Sequence, residues 1–150
     1  MKELKIQPIK DGTVIDHITA GNAIKVLHIM RIPSTNSSIV SVAMNVNGKM
    51  GKKDIVKVEN RELDPHEVDK IALVAPKATI NIIRNYEVKE KYKVTLPEEI
   101  IGIVKCSNPT CISNANEPVK SRFKVISQDP AKIKCYYCER EPEDFADRII

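Results

Sequence analysis

The sequence is poor in aromatic residues and in glycine: its 150 residues include no Trp, two Phe, four Tyr and five Gly. It has no Gly-rich phosphate loop, no GxSxG elbow and no recognisable Ser/His/Asp grouping, so nothing indicates that the chain is itself an enzyme. The longest apolar runs, such as residues 71–76, are far shorter than the roughly 20 residues of a membrane helix. The N-terminal residues lack the apolar core of a signal peptide. We therefore expect a cytoplasmic protein without membrane contact.

The charge is unevenly distributed along the chain. The formal net charge is +4, and hydrophobic and charged fractions of 42% and 29% are typical of a globular protein. Residues 1–96 carry 16 basic and 11 acidic side chains, whereas residues 97–150 carry 8 and 9. All four cysteines lie in the second, slightly acidic part. The excess positive charge and the sulfur chemistry therefore belong to different parts of the chain.

The first part predicts alternating strands and helices. Strands are expected near residues 4–9, 40–46, 54–58 and 78–84, with a further strand through Val94. Ala23, Val26, Leu27 and Met30 form a helical stripe, for which Thr19 is a plausible N-cap. A second helix begins at Asp64-Pro65-His66-Glu67, a sequence typical of a capping box. The order predicts an α+β fold, a split-βαβ (ferredoxin-like) antiparallel sheet with two helices.

The boundary of this first domain is expected at Pro97, which gives domains of residues 1–96 and 97–150. The second domain is predicted to be a small, turn-rich β domain, and a unit of that size needs a staple to remain folded.

The staple is predicted from the cysteine spacing. Cys106 and Cys111 form one close pair, Cys135 and Cys138 form another, and 23 residues separate the pairs. Four thiolates brought to one point match the ligand preference of Zn²⁺, while disulfides and an iron centre remain alternatives. Four protein ligands leave no open coordination position, so one structural zinc is expected. Four thiolates and Zn²⁺ bring the net charge of this domain to about −3, which favours a protein partner over a nucleic acid.

A second candidate site lies on the predicted strand around Asp54. Lys53, Ile55 and Lys57 share one face because side chains alternate along a strand, and two ammonium groups beside an apolar side chain suit a flat, phosphate-bearing ligand. The pair Asp16-His17 adds an acceptor beside a titratable donor. The alternatives are a solvated lysine face, a surface or capping histidine, and a turn-packing role for Tyr86. A zinc-ribbon nucleic-acid-binding protein and a small enzyme are the competing functions.

Several stretches resemble a known family. They are GTVIDHI at 12–18, MGKKDIVKVEN at 50–60, APKATIN at 75–81, NYEV at 85–88 and CIS at 111–113, together with the four-cysteine spacing. In this order, from about residue 4 to residue 141, the chain resembles the regulatory chain of prokaryotic aspartate carbamoyltransferase.

The resemblance implies a non-catalytic subunit of pyrimidine biosynthesis. The first domain would bind CTP or ATP, sometimes with UTP, and pair with a second regulatory chain. The second domain would contact the catalytic chain through its zinc-stabilised fold. Matched position by position, the resemblance implies contact with the catalytic chain at Asn108 and Glu139. It implies nucleotide binding at Ile9, Asp16, His17, Lys53, Ile55, Lys57, Asn81, Ile83, Tyr86, Val88 and Lys91.

Overall fold

The computed structural model describes residues 9–32, 39–49, 51–115, 119–128, 131–142 and 145–149. These residues form a five-stranded antiparallel sheet with two helices and a smaller three-stranded sheet, which confirms the predicted fold class. None of the described helices is long and apolar enough to cross a bilayer. The elements are β1 (Gly12–Thr19), α1 (Ala23–Ile29), β2 (Val40–Gly48), β3 (Gly51–Glu59), α2 (Pro65–Val74), β4 (Thr79–Arg84), β5 (Glu87–Lys93), β6 (Glu99–Ile101), β7 (Arg122–Gln128) and β8 (Ala131–Cys135).

The five strands lie in the order β2-β3-β1-β4-β5, and every neighbouring pair is antiparallel. This is the predicted split-βαβ arrangement with one strand added at the edge. The first described strand is β1, whereas the strand predicted at residues 4–9 falls almost entirely outside the described residues. The alternation of β1 is hard to recognise because a β-bulge between Ile15 and Ile18 places two polar residues in succession.

The two faces of the large sheet have different surroundings. Ile15 on β1 pairs with Val56 on one side and Ile80 on the other, and all three are fully buried. These residues belong to the core that also contains Val26 of α1 and Ile71 of α2. The helices therefore cover this face, and the alternate residues of each strand point to the opposite, open face.

The start of α1 differs from the prediction. Thr19 is the last residue of β1 and does not cap the helix, which begins at Ala23 after Asn22. The helix N-terminus is satisfied from another strand: the Asp54 carboxylate accepts hydrogen bonds from the backbone N–H groups of Gly21 (2.9 Å) and Ala23 (3.0 Å). The capping acceptor is more than 30 residues away in sequence, so no local pattern announces it.

The start of α2 agrees with the prediction. The Asp64 side chain accepts from the Glu67 backbone N–H at 2.9 Å, and the Glu67 side chain accepts from the Asp64 backbone N–H at 3.3 Å. Arg61 joins this helix to α1, because its guanidinium donates to the Met30 carbonyl at 2.7 Å and pairs with Glu67 at 2.5 Å. The capping box and the arginine together fix the two helices on the sheet.

The second sheet has the order β6-β7-β8 and packs around Phe123, which is fully buried. The segment leading into it is held by a side-chain amide. Gln128 at the end of β7 accepts from the Leu96 backbone N–H (2.9 Å) and donates to the Leu96 carbonyl (3.0 Å). The Gln128 side chain thus imitates one rung of a β-ladder and fixes the connection between the sheets.

Candidate metal site and basic sheet face

The four cysteines meet at one end of the second sheet. Cys135 ends β8 and Cys138 follows in the next turn, while Cys106 and Cys111 lie in the segment between β6 and β7. All four Sγ atoms lie within 4.8 Å of one another. Cys106, Cys111 and Cys135 are buried, and Cys138 is half-buried. The predicted metal ligands are therefore brought together as a single group.

The sulfur separations fit a metal centre and not a pair of disulfides. The Cys106–Cys138 and Cys111–Cys135 Sγ···Sγ distances are 3.6 and 3.7 Å, far longer than the roughly 2.05 Å of a disulfide bond. A tetrahedron with Zn–S bonds of about 2.3 Å has edges of about 3.8 Å. The donor set is four soft thiolates, which suits one Zn²⁺ ion. Because all the ligands come from the protein, such an ion stabilises the fold and has no position for a substrate.

The surroundings shift the pKa values of Cys106 and Cys138 in opposite directions. Burial raises the pKa of Cys106 to about 12. Burial also acts to raise the pKa of Cys138, but the backbone N–H of Arg140 and the neighbouring thiols outweigh it and lower the pKa to about 7. Cys138 therefore ionises more readily than Cys106 before a metal binds. Binding of the ion then releases protons from the other ligands.

The two residues expected at the catalytic-chain contact both lie beside the cysteines. Asn108 is 9% exposed, and its side-chain oxygen accepts from the Thr110 hydroxyl (2.8 Å) and backbone N–H (3.2 Å). Glu139 is exposed in a left-handed conformation (φ 62°), with its N–H donating to the Cys135 carbonyl at 3.0 Å. Asn108 thus shapes the first cysteine turn, and its contact with another chain stays a prediction.

The open face of the large sheet carries a row of paired residues with a lysine at each end. Lys57 on β3 pairs with Val14 on β1, which pairs with Asn81 on β4, which pairs with Lys91 on β5. Directly paired residues project to the same face, so the two lysines share one surface across three strand spacings, or about 14 Å. Burial lowers the pKa of Lys57. The row therefore has a partly desolvated lysine at one end and an exposed lysine at the other.

A basic end of the same face is formed at the β1 bulge. The Lys53 ammonium lies 2.9 Å from the Asp16 carboxylate. Burial acts to raise the pKa of Asp16, but hydrogen bonds from Lys53 and from the His17 backbone N–H hold it below its ordinary value. His17 has a φ of 58°, and its Nδ1 lies 3.2 Å from the Thr79 hydroxyl. A non-glycine residue in this conformation is often found at a functional site.

The opposite end of the face is apolar. Gly12 pairs with Ile83, and Ile83 pairs with Val88 on the edge strand. A side chain at Gly12 (φ 147°) would approach the Val58 carbonyl oxygen to 2.2 Å and the Ile9 side chain to 3.1 Å. Glycine at position 12 therefore lets β1 approach β3 closely.

Tyr86 stands at this apolar end, in the turn between β4 and β5. Its N–H donates to the Lys10 carbonyl at 2.9 Å, and its φ is 65°. The residue is 67% exposed, so it is not the turn-packing aromatic considered from the sequence. An exposed aromatic side chain on a strained backbone, beside Ile83 and Val88, is available to a ligand.

A cavity of about 1020 Å³ opens beside the basic end. Besides His17 and Lys53 it is lined by Lys49, Lys52 and Lys77, and no acidic side chain is among its described lining residues. These three lysines were not predicted from the sequence. Lys49 lies in the turn between β2 and β3, Lys52 lies in β3, and Lys77 precedes β4, so only the sheet order brings them together.

Asp54 was likewise not predicted from the sequence as a functional residue. Its carboxylate is fully buried and accepts the two N–H groups at the start of α1 and that of Asn45 (2.9 Å), where β2 has its own bulge. Asp54 therefore fixes the backbone next to the strand positions that carry Lys53 and Ile55. An acidic residue directly after two lysines in a strand gave the only available signal.

The comparisons with known proteins cover both parts of the chain. A family model described as aspartate carbamoyltransferase regulatory chain, allosteric domain, matches residues 4–95. A model described as aspartate carbamoyltransferase regulatory chain, metal binding domain, matches residues 98–145.

Individual relatives bear the same name. The aspartate carbamoyltransferase regulatory chain of Methanothrix thermoacetophila is 57% identical over 140 residues, which cover 93% of this chain and 91% of that one. The chain of Methanothermobacter thermautotrophicus is 57% identical over 139 residues, covering 92% and 88%. That of Pyrococcus abyssi is 56% identical over 146 residues, covering 96% and 95%. The present chain belongs to the family of aspartate carbamoyltransferase regulatory chains, the non-catalytic subunits of that enzyme, and carries the metal-binding part of the family.

Proposed function

We propose that the open face of the large sheet binds a nucleoside triphosphate (CTP, ATP or UTP) and that binding regulates an aspartate carbamoyltransferase catalytic chain. The observation that carries the proposal is the continuity of one cationic surface. It starts at the row containing Lys57 and Lys91 and reaches the lysine-lined cavity beside His17. A triphosphate carries several negative charges at one end, and a cleft lined by one sign of charge attracts such a ligand.

The two ends of the face suit the two ends of the ligand. The apolar end, with Ile9, Ile83, Tyr86 and Val88, suits a base, whose edge would be read by backbone groups near Ile9 and Tyr86. Lys57 would contact the ribose and the first phosphate. The remaining phosphates would lie near His17, Lys53 and Lys91, with Asp16 orienting Lys53 and with Ile55 and Asn81 completing the surface.

We assign a different function to the part of the chain around each sheet. Residues 1–96 would form the nucleotide-binding allosteric domain, and residues 97–150 the zinc-binding domain that contacts the catalytic chain near Asn108 and Glu139. Each nucleotide can shift the assembly between low- and high-activity states only through its different affinity for the two, typically by about 1–3 kcal/mol. We place the assembly in the cytoplasm, where cysteines remain reduced and available to zinc.

The test is nucleotide binding to the complex of this chain with its catalytic chain. Lys57→Ala and Lys91→Ala should each weaken CTP binding about tenfold or more and abolish the CTP response, because each removes a charged donor to a phosphate. Zinc content should not change, since neither lysine is near the cysteines. Calorimetry with CTP, ATP and UTP measures the affinities, and a carbamoyltransferase assay measures the response.

Lys25→Ala is the matched control. Lys25 is an exposed lysine of α1, on the side of the sheet that the helices cover, so its removal changes the net charge without touching the open face. Normal CTP affinity in Lys57→Ala and Lys91→Ala, or an equal loss in Lys25→Ala, would refute the assignment of this face.

A further inference from the structure

A second basic cleft lies away from the open face, between α2 and the second sheet. Its volume is about 600 Å³. Helix α2 contributes His66 and Lys70, and the segments next to β6 and β7 contribute Gly102, Lys105 and Lys120. Small-molecule sites in proteins commonly measure about 300–1,000 Å³. The cleft is therefore large enough for a compact ligand that touches both parts of the fold.

The charge of this cleft has one sign. Three lysines line it, and no acidic side chain is among its described lining residues. Asp69 is close enough to His66 for the histidine to oppose the rise that burial causes in the Asp69 pKa, but Asp69 does not line the cleft. Within the described part of the chain, neither Lys105 nor Lys120 takes part in an ion pair. Like charges gathered in a concave site favour a bound anion.

The wall of the cleft also holds an unpartnered hydroxyl. Ser121 is 7% exposed, and its Oγ is the one fully buried side-chain polar atom in the described residues without a hydrogen-bond partner. An unsatisfied buried hydroxyl costs about 1–3 kcal/mol. Ser121 lines the cleft, so a rotation about its Cα–Cβ bond would bring this unused donor to a ligand oxygen. The unpartnered hydroxyl supports a ligand here in addition to the charges.

We propose that the cleft binds a small phosphate-class polyanion at a site separate from the sheet face. Lys70, Lys105 and Lys120 would neutralise the charge, and Ser121 would donate a hydrogen bond to an oxygen atom. Since α2 belongs to one sheet and the other donors belong to the second, the anion would bridge the two parts of the chain. A bridging anion would stabilise their relative position and so act as a second regulatory input. This site does not depend on the nucleotide assignment.

Inorganic pyrophosphate is the probe. It is titrated into the zinc-loaded full chain carrying Lys57→Ala and Lys91→Ala, in which the open face lacks two of its cations. Calorimetry gives the affinity, and nuclear magnetic resonance follows the backbone amides of Gly102 and Ser121. We expect saturable shifts at both amides. Adding Lys105→Gln or Lys120→Gln should weaken binding about tenfold or more, and adding Ser121→Ala should weaken it severalfold.

Lys124→Gln is the matched control, because Lys124 is an exposed lysine of β7 that does not line the cleft. It should leave the affinity unchanged. In the complex with the catalytic chain, Lys105→Gln or Lys120→Gln in an otherwise wild-type chain should weaken pyrophosphate binding as in the free chain. The proposal is wrong if pyrophosphate does not bind, if the shifts map elsewhere, or if Lys124→Gln weakens binding as much as Lys105→Gln. CTP binding by the unmodified face is measured separately, so either proposal can fail alone.

Discussion

Asp54 shows how one buried side chain supports a surface that it does not belong to. Its carboxylate is fully buried, and it accepts hydrogen bonds from two backbone N–H groups at the start of α1 and from one at the β2 bulge. Hydrogen bonds to a charged acceptor contribute about 1.5–3 kcal/mol each, against the large desolvation penalty of the carboxylate. These hydrogen bonds therefore offset the desolvation of the carboxylate and fix the backbone next to Lys53.

Replacing this carboxylate should be costly. Asp54→Asn keeps the shape but turns one acceptor oxygen into a donor facing a backbone N–H, so we expect a loss of about 3 kcal/mol in the free energy of unfolding. Urea unfolding monitored by circular dichroism measures it. Asp69→Asn is the control: burial raises the pKa of this half-buried carboxyl, so the neutral amide should leave stability unchanged or slightly higher at pH 7. Equal losses in the two variants would contradict the role of Asp54.

The predictability of single residues depended on whether their signal is local. The shared face of Lys53, Ile55 and Lys57 follows from the period of a strand, and the structure places their neighbours Asp54 and Val56 in the core. The four thiolates were predictable because their spacing is itself the signal. Lys77 and the hydroxyl of Ser121 were not, because only tertiary structure decides what stands opposite them.

The two edge strands of the large sheet differ in chemistry. Strand β5 carries Glu87, Lys89, Glu90, Lys91 and Lys93, charges of the kind that block edge-to-edge pairing. Strand β2, at the other edge, contains no charged residue and exposes Val42 and Met44. An uncharged edge with exposed apolar side chains favours pairing with another chain. We therefore propose that this chain pairs with a second regulatory chain and that the two chains meet at β2.

Charge placed on that edge should disrupt the pair. Val42→Lys together with Met44→Lys sets like charges opposite one another in the dimer and should weaken association tenfold or more. Tyr92→Lys, at the exposed β5 edge, is the matched control and should leave the dimer intact. Sedimentation equilibrium of the zinc-loaded chain measures both. A dimer that persists with the β2 substitutions but dissociates with Tyr92→Lys would place the interface at β5 and contradict the proposal.

Among the elements, those with local signals were predictable. Asp64 and Glu67 cap α2 from within its own first turn, and the structure confirms that start. The prediction that Thr19 caps α1 was wrong because the capping carboxylate, that of Asp54, comes from β3. Strand β1 was missed as a strand because Asp16 and His17 occupy a bulge, where the alternation of side chains is interrupted. The bulge that obscures the pattern is also the place where the basic end is built.

At the scale of the whole molecule, the charges and the sulfur atoms lie in different parts. Removing the metal should therefore affect the two parts in sequence. A chelator should release zinc, loosen the second sheet and separate this chain from its catalytic chain while CTP binding by the large sheet persists, because the second sheet has only a small core of its own. Gel filtration and calorimetry on the same samples measure both properties.

Reloading with Zn²⁺ is the control for this experiment and should restore the complex. A complex that stays intact after zinc is lost would overturn the proposed interface, and CTP binding that disappears together with zinc would show that the two parts fold as one unit. The zinc site that this experiment empties was predictable from the spacing of the cysteines. The packing of Phe123 and Ile133 beneath the site was not, because one-sequence patterns do not reveal which apolar residues share a core.

The Gln128 side chain, which joins Leu96 through two hydrogen bonds, has a consequence for the size of any signal that passes between the sheets. Each neutral hydrogen bond contributes about 1 kcal/mol net, so the pair contributes an amount similar to a typical allosteric coupling energy. If the proposed regulatory signal passes between the sheets, breaking this pair would therefore cost about as much free energy as the signal itself carries.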